Sequence, residues 1–222
     1  MTRPDAPIIL FGGSFDPPHR GHVTLPLLAA DAVGARAVVF IPAGINPQKS
    51  EHPPTAGRHR IAMLESAVAH DPRASVSSIE LERSGPSYTI DTVEALAAEL
   101  AAEPGTEPPP LRLLIGADQA LNFRSWRRWE ALEGLAEPLI LPREPQGVAE
   151  LARSLAEVYP DDADRWVARI VETPCLEASS TDVRAALATG DSLESLVPKS
   201  VADYIRAEGL YGSGPERGRI ET

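Results

Sequence analysis

The chain has 222 residues, a net charge of −11 and a single cysteine, Cys175. That length holds a sizeable α/β core, the charge excludes a broad nucleic-acid-binding face, which needs Lys and Arg on phosphates, and one cysteine excludes an intrachain disulfide. No apolar run reaches the roughly eighteen residues of a membrane span, and residues 1–7 lack the apolar stretch of a secretory signal, so a cytoplasmic protein is expected.

Taken in order, the chain opens with an apolar strand at 8–11 that stops at Gly12 and Gly13. A short turn with two prolines follows, and then His19 and His22 stand three apart around Gly21. Pro26 is tolerated in a first helical turn, where its missing N–H is not needed, so a helix is predicted from residue 22 to about 35. A strand, a glycine turn and a helix start make a ready anion site, phosphate especially.

A second strand is predicted at 37–41, and the long Pro/Gly loop after it carries Lys49 as its one strong positive charge. Lys49 reads either as a solvated surface lysine or as a phosphate contact. A helix at 58–70 and a third strand at 76–81 come next. In S-G-P-S-Y-T-I-D-T-V, Ser87 or Thr89 can cap a helix over 89–103, or the same helix start can offer N–H groups to a carboxylate. Residues 103–110 read as a surface linker.

The fourth strand, 111–115, ends in I-G-A-D-Q, where Asp118 is either a helix cap or a partner for a sugar hydroxyl. A helix over 126–135 would put Trp126 and Trp129 on one face, with one tryptophan in the core or stacked on a flat ring. A fifth strand at 138–141, a helix at 148–158 and a weaker strand at 170–176 follow. Ser179 and Asp182 have the spacing of a capping box for a helix at 181–189. Arg184 opposes the dipole of that helix, as a surface residue or because it faces an anion. A closing helix over 199–208 starts after Pro198 and ends at Gly209, and the tail at 212–222 is expected to be disordered.

Apolar strands alternating with helices predict a Rossmann-like, doubly wound parallel sheet with helices on both faces and a small helical segment at about 179–211. One domain over 1–211 is expected. Ligands in such sheets bind at the carboxyl ends of strands.

The chain lacks a G-x-x-x-x-G-K-[ST] loop, a G-x-G-x-x-G turn after the first strand and a G-x-S-x-G elbow. The histidines lack the helical i, i+4 spacing and third ligand of a zinc site, so no protein-held metal is expected. What remains is two histidines at one helix start, a loop lysine and an arginine at another helix start, with no evident general base. That set suits a nucleophile already ionised, such as a phosphate monoester with a second pKa of about 6. Nucleotidyl transfer to it needs in-line positioning and neutralisation of the leaving pyrophosphate, which His, Lys, Arg and a Mg²⁺ carried on substrate phosphates can supply.

The stretch G-G-S-F-D-P-P-H-R-G-H resembles the nucleotidyltransferase signature G-G-[ST]-F-D-P-x-H-x-G-H, and S-S-T-D-V-R resembles its second signature, S-S-T-x-[IV]-R. S-Y-T-I-D-T, G-A-D, the tryptophan of F-R-S-W and the closing V-A-D-Y-I-R-A-E-G-L-Y narrow the resemblance to the nicotinate-nucleotide adenylyltransferases. It covers nearly the whole chain. It implies ATP and nicotinate mononucleotide as partners, and deamido-NAD and pyrophosphate as products in NAD biosynthesis. It implies that His19 and His22 bind the ATP phosphates and stabilise the transition state. Gly12, Gly13, Ser14 and Phe15 would make backbone contacts to nucleotide, Asp118 would take the adenosine ribose, and Ser180, Thr181 and Arg184 would lie on the ATP side. The Thr89 backbone would hold the nicotinate carboxylate, Trp126 would stack on the pyridine ring, and Lys49 would lie near phosphate. The family loop usually reads P-P-H-K or S-P-H-K, where this chain has N-P-Q-K at 46–49. Residues 144–166 are longer and more helical than the family's usual connection, and no role is assigned to them. Nicotinamide mononucleotide, another phosphate acceptor, a non-catalytic nucleotide sensor and a homo-oligomer stay open.

Overall fold

The strands alternate their side chains between two apolar layers, and this alternation sets the architecture. Ile9, Leu114, Leu139 and Leu141 face one layer, while Ile8, Leu10, Leu113, Ile115 and Ile140 face the other. Strands buried on both sides need helices on both sides. A computed structural model describes residues 5–44, 54–102, 107–142, 147–174, 176 and 178–213 of the chain. Lys49 and the rest of 45–53 lie outside the described residues, as do 103–106 of the expected linker and 214–222 of the expected tail.

The elements in order are β1 (Ile8–Gly13), α1 (Arg20–Val33), β2 (Ala37–Pro42), α2 (Gly57–Val68), β3 (Ala74–Val76), α3 (Ile79–Glu82), α4 (Thr89–Ala101), β4 (Leu111–Gly116), α5 (Ala117–Leu121), α6 (Trp129–Leu135), β5 (Ala136–Leu141), α7 (Gly147–Val158), α8 (Ala163–Val167), α9 (Ser180–Thr189) and α10 (Lys199–Glu208). The five strands form one parallel sheet in the order β3-β2-β1-β4-β5. Residues of α1, α2, α9 and α10 cover one face. Residues of α4, α5, α6, α7 and α8 cover the other. The expected doubly wound α/β fold is present, with β1 at the centre. Among the described residues no helix is long and apolar enough to cross a membrane.

Four local expectations are corrected. The third strand is Ala74–Val76, and residues 79–82 are helical. The Ser77 hydroxyl accepts the Ile79 N–H at 3.4 Å, and Glu80 is drawn inward to the Gly44 N–H and the Thr92 hydroxyl. The weaker strand at 170–176 shrinks to one bridge between Ile170 and Ile140. The helix over 126–135 begins only at Trp129, because Arg128 takes a left-handed conformation at φ 53°. Trp126 is extended at φ −75°, ψ 147°, so it shares no helix face with Trp129. Finally, α1 opens at Arg20, so Pro26 lies in the helix interior and is buried there.

The end of β2 is fitted to α3. A Cβ on Gly44 would collide with the Glu80 carbonyl and the Ser87 hydroxyl. Gly44→Ala is therefore expected to destabilise the fold by about 1–3 kcal/mol. Urea unfolding should show a lower midpoint at an unchanged m-value.

Candidate active site

The site grows from the end of β1. Gly13 makes room for Phe15, whose ring would lie 3.0 Å from a Cβ at that position. Phe15 turns back at φ 49° and is fully buried. Its ring meets the edge of His22 at 5.0 Å and that of Phe11 at 5.6 Å. The Phe15 side chain is thus a support for His22, while Gly12 and Ser14 stay exposed beside it.

His19 and His22 form a reciprocal helix cap. His19 is the N-cap of α1, and its Nδ1 accepts the His22 N–H at 3.4 Å. His22 Nδ1 accepts the His19 N–H, also at 3.4 Å. The rings stack with centroids 3.6 Å apart and planes 27° apart. The spacing of three is the capping-box spacing, with imidazole nitrogens replacing the usual side-chain oxygens. With Nδ1 as acceptor, a neutral ring carries its proton on Nε2. A Cβ on Gly21 would stand 3.1 Å from the His19 ring, so that glycine lets the imidazole lie close to the helix start.

The second signature packs against this turn. Ser179 caps α9 and pairs reciprocally with Asp182, as expected. Ser180 Oγ donates to the Pro17 carbonyl at 2.8 Å. Arg184 donates to the Asp16 carbonyl at 2.7 Å and to the Thr181 hydroxyl at 3.2 Å. The starts of α1 and α9 therefore meet at one loop, which brings His19, His22, Ser180, Thr181 and Arg184 together. Asp118 is exposed in the first turn of α5, at the carboxyl end of the neighbouring β4.

On the far side, Thr89 is the first residue of α4, where helix N–H groups have no intrahelical acceptor. The expectation that Ser87 or Thr89 caps this helix is corrected: Tyr88 is the N-cap, without a side-chain bond. The Ser87 hydroxyl instead donates to the Glu80 carbonyl. Arg127 lies 4.6 Å over the Tyr88 ring, and Arg128 forms a two-pronged ion pair with Glu94. The two residues after Trp126 are thereby tied to the N-cap and the second turn of α4.

Three residues without a predicted role tie the loops together. Arg60, 3% exposed, donates to the carbonyls of Ser14, Ala43 and Thr55 at 2.8–2.9 Å. Burial lowers its pKa, and the nearby Asp16 opposes that shift. Asp16 accepts the Tyr211 hydroxyl at 2.6 Å and the Thr55 N–H at 3.2 Å. Tyr211 is held at φ 55°, a strained backbone for a non-glycine residue. Burial and then the bond to Asp16 push its pKa up, so it remains a donor. Ser213, expected in the disordered tail, instead donates its hydroxyl to the Ile205 carbonyl at 3.0 Å. One signal for Arg60 was available: it occupies the apolar stripe of Met63, Leu64 and Ala67. A depression of about 550 Å³ between α1, α2 and α10 is lined by none of the predicted site residues, and the chemical groups gather at the strand ends instead.

Replacing Arg60 by Leu removes a buried donor from three carbonyls. Arg60→Leu is expected to cost about 3–5 kcal/mol of stability. Arg60→Lys, which lacks the planar fork, should recover only part of this in thermal unfolding.

A family model described as cytidylyltransferase-like matches residues 10–186. A relative from Symbiobacterium thermophilum, named a probable nicotinate-nucleotide adenylyltransferase, is 38% identical over 96% of this chain and 99% of its own. An Aeromonas salmonicida relative of the same name is 39% identical over 93% of this chain and 97% of its own. The fold is similar to that of a Plasmodium falciparum nicotinic acid mononucleotide adenylyltransferase solved with NaAD, with a TM-score of 0.69, 18% identity, and 94% and 98% of the two chains covered. With both nucleotidyltransferase signatures meeting at one loop and relatives matched nearly end to end, the chain belongs to the nicotinate-nucleotide adenylyltransferase family of nucleotidyltransferases.

Proposed function

We propose that the enzyme transfers the adenylyl group of ATP to nicotinate mononucleotide. The observation that supports this best is the stacked His19–His22 cap docked against the start of α9, with Arg184 alongside. One phosphate oxygen of the mononucleotide attacks the α-phosphorus of ATP. A new O–P bond forms, the bond from the α-phosphorus to the bridging oxygen breaks, and pyrophosphate leaves with that electron pair. The nucleophile is already anionic at neutral pH, so no general base is required.

In this reading the chain supplies positioning and charge. His19, His22 and Arg184 stabilise the negative charge that builds on the leaving phosphates. Gly12, Gly13, Ser14 and Phe15 offer backbone to the nucleotide, Ser180 and Thr181 flank the phosphates, and Asp118 accepts from the adenosine ribose. Thr89, at an uncapped helix start, receives the nicotinate carboxylate, and Trp126 stacks on the pyridine ring. Lys49 is assigned to phosphate on the family resemblance alone. No three His, Cys, Asp or Glu side chains among the described residues converge where an ion would sit. This donor set fits Mg²⁺ entering as part of MgATP. The substrates and product are water-soluble, and the reaction is assigned to the cytoplasm.

Purified enzyme with ATP, Mg²⁺ and nicotinate mononucleotide should release pyrophosphate, faster than with nicotinamide mononucleotide. Absence of release with every pyridine mononucleotide would refute the assignment. His22→Ala should lower kcat by about 10²–10³-fold through lost charge stabilisation. The same change removes one half of the helix cap, at about 1 kcal/mol. A stability loss large enough to explain the rate loss would instead mark His22 as purely structural.

A further inference from the structure

The segment that follows β5 has a role on the acceptor side. Tyr159 is fully buried, and its hydroxyl donates to the Ala120 carbonyl at 2.6 Å. Its ring stacks on Trp166, with centroids 4.2 Å apart and planes 12° apart. Trp166 meets Phe123 edge-on at 5.4 Å, and Phe123 packs against Trp126 at 5.4 Å. Asp162 pairs with Arg124 at 2.8 Å, and the Arg124 guanidinium lies 4.7 Å over the Tyr159 ring. The segment therefore grips positions 120, 123 and 124, just ahead of Trp126.

Trp126 needs this grip because it lies outside any helix. Its N–H bonds the Phe123 carbonyl at 3.0 Å, and its backbone is already extended. We infer that α7, α8 and the turn between them are a platform that sets the position of Trp126, with Tyr159 and Trp166 as positioning residues for the mononucleotide. This rests on the proposed adenylyl transfer. Opposing ties from Arg127 to Tyr88 and from Arg128 to Glu94 hold the other side of the same turn. A stacking face held from both sides loses less freedom when the pyridine ring lands on it. Asp118 shares the short helix α5 with Ala120, but the start of that helix has a tie of its own, because Gln119 Oε1 accepts the Gly116 N–H at 3.0 Å where β4 passes into α5. Loosening the platform therefore falls mainly on Phe123 and Trp126, which have ring contacts to it, and less on Asp118, which keeps the tie at the start of α5.

Tyr159→Phe keeps the ring and removes the bond to Ala120. It should raise KM for nicotinate mononucleotide about three- to tenfold. KM for ATP and kcat should stay within about twofold. Trp166→Leu should give the same split, larger. Hydrogen exchange should speed up at amides 122–127 in Tyr159→Phe and stay constant at 20–25. Val201→Ala, in the core on the opposite face of the sheet, should lower Tm without any such split. The inference is overturned if the mononucleotide KM does not move, or if it rises together with that for ATP as in a general loss of stability. If the wild-type enzyme uses no pyridine mononucleotide, the reaction assignment fails; unchanged exchange at 122–127 overturns the platform independently.

Discussion

The site depends on one buried cation. Arg60 reaches from α2 into the space between the ends of β1 and β2 and bonds three carbonyls there. A planar guanidinium can serve several acceptors at once, which neither a lysine nor a neutral side chain can match. Two of those carbonyls, of Ser14 and Ala43, belong to chain that has just left β1 and β2, and the third, of Thr55, lies ahead of α2. Losing such a donor costs about 1–3 kcal/mol for each carbonyl that water cannot reach. Burial works against the charge on Arg60, and the Asp16 carboxylate offsets part of that penalty. The same carboxylate takes the Tyr211 hydroxyl and the Thr55 N–H, so the turn after α10 is fastened to the loop after β1.

On this frame the two histidines serve folding and charge together. A helix start has N–H groups without acceptors, and side chains usually supply them. Here imidazole nitrogens do so reciprocally. Each ring is oriented by the backbone it caps, with Phe15 packed on the edge of His22. Little reorganisation is then needed when phosphate arrives, which is the condition under which fixed dipoles contribute most to rate. Arg184 is fixed in the same way, by a backbone carbonyl and a hydroxyl of its own helix. Its unfavourable place at the start of a helix is offset by these bonds.

The acceptor half of the site is built differently. Its aromatic face, Trp126, closes a single 3-10 turn at Phe123–Ser125, and neighbours distant in sequence add to the few local bonds that hold it. Arg124 lies between Tyr159 and Trp129, while Arg127 and Arg128 reach to Tyr88 and Glu94. Aromatic rings and guanidinium planes hold this turn from outside. One half of the site therefore rests on two capped helices, and the other on side-chain stacking.

The amino-acid sequence by itself determined the fold class and both signature turns. Apolar strands such as 111–115 and their alternation with helices leave few arrangements other than a covered parallel sheet. The Ser179–Asp182 cap was legible because its residue types and spacing carry their own mechanism. The mutual cap of His19 and His22 was hidden by its residue types, although its spacing was in view. Tertiary structure alone decided the break of the helix ahead of Trp129, the inward turn of Glu80, and the meeting of Arg60, Asp16 and Tyr211. The reason is physical. Local spacing encodes contacts three or four residues apart, whereas Tyr211 and Asp16, or Tyr159 and Ala120, become partners only when the sheet brings distant loops to the same edge.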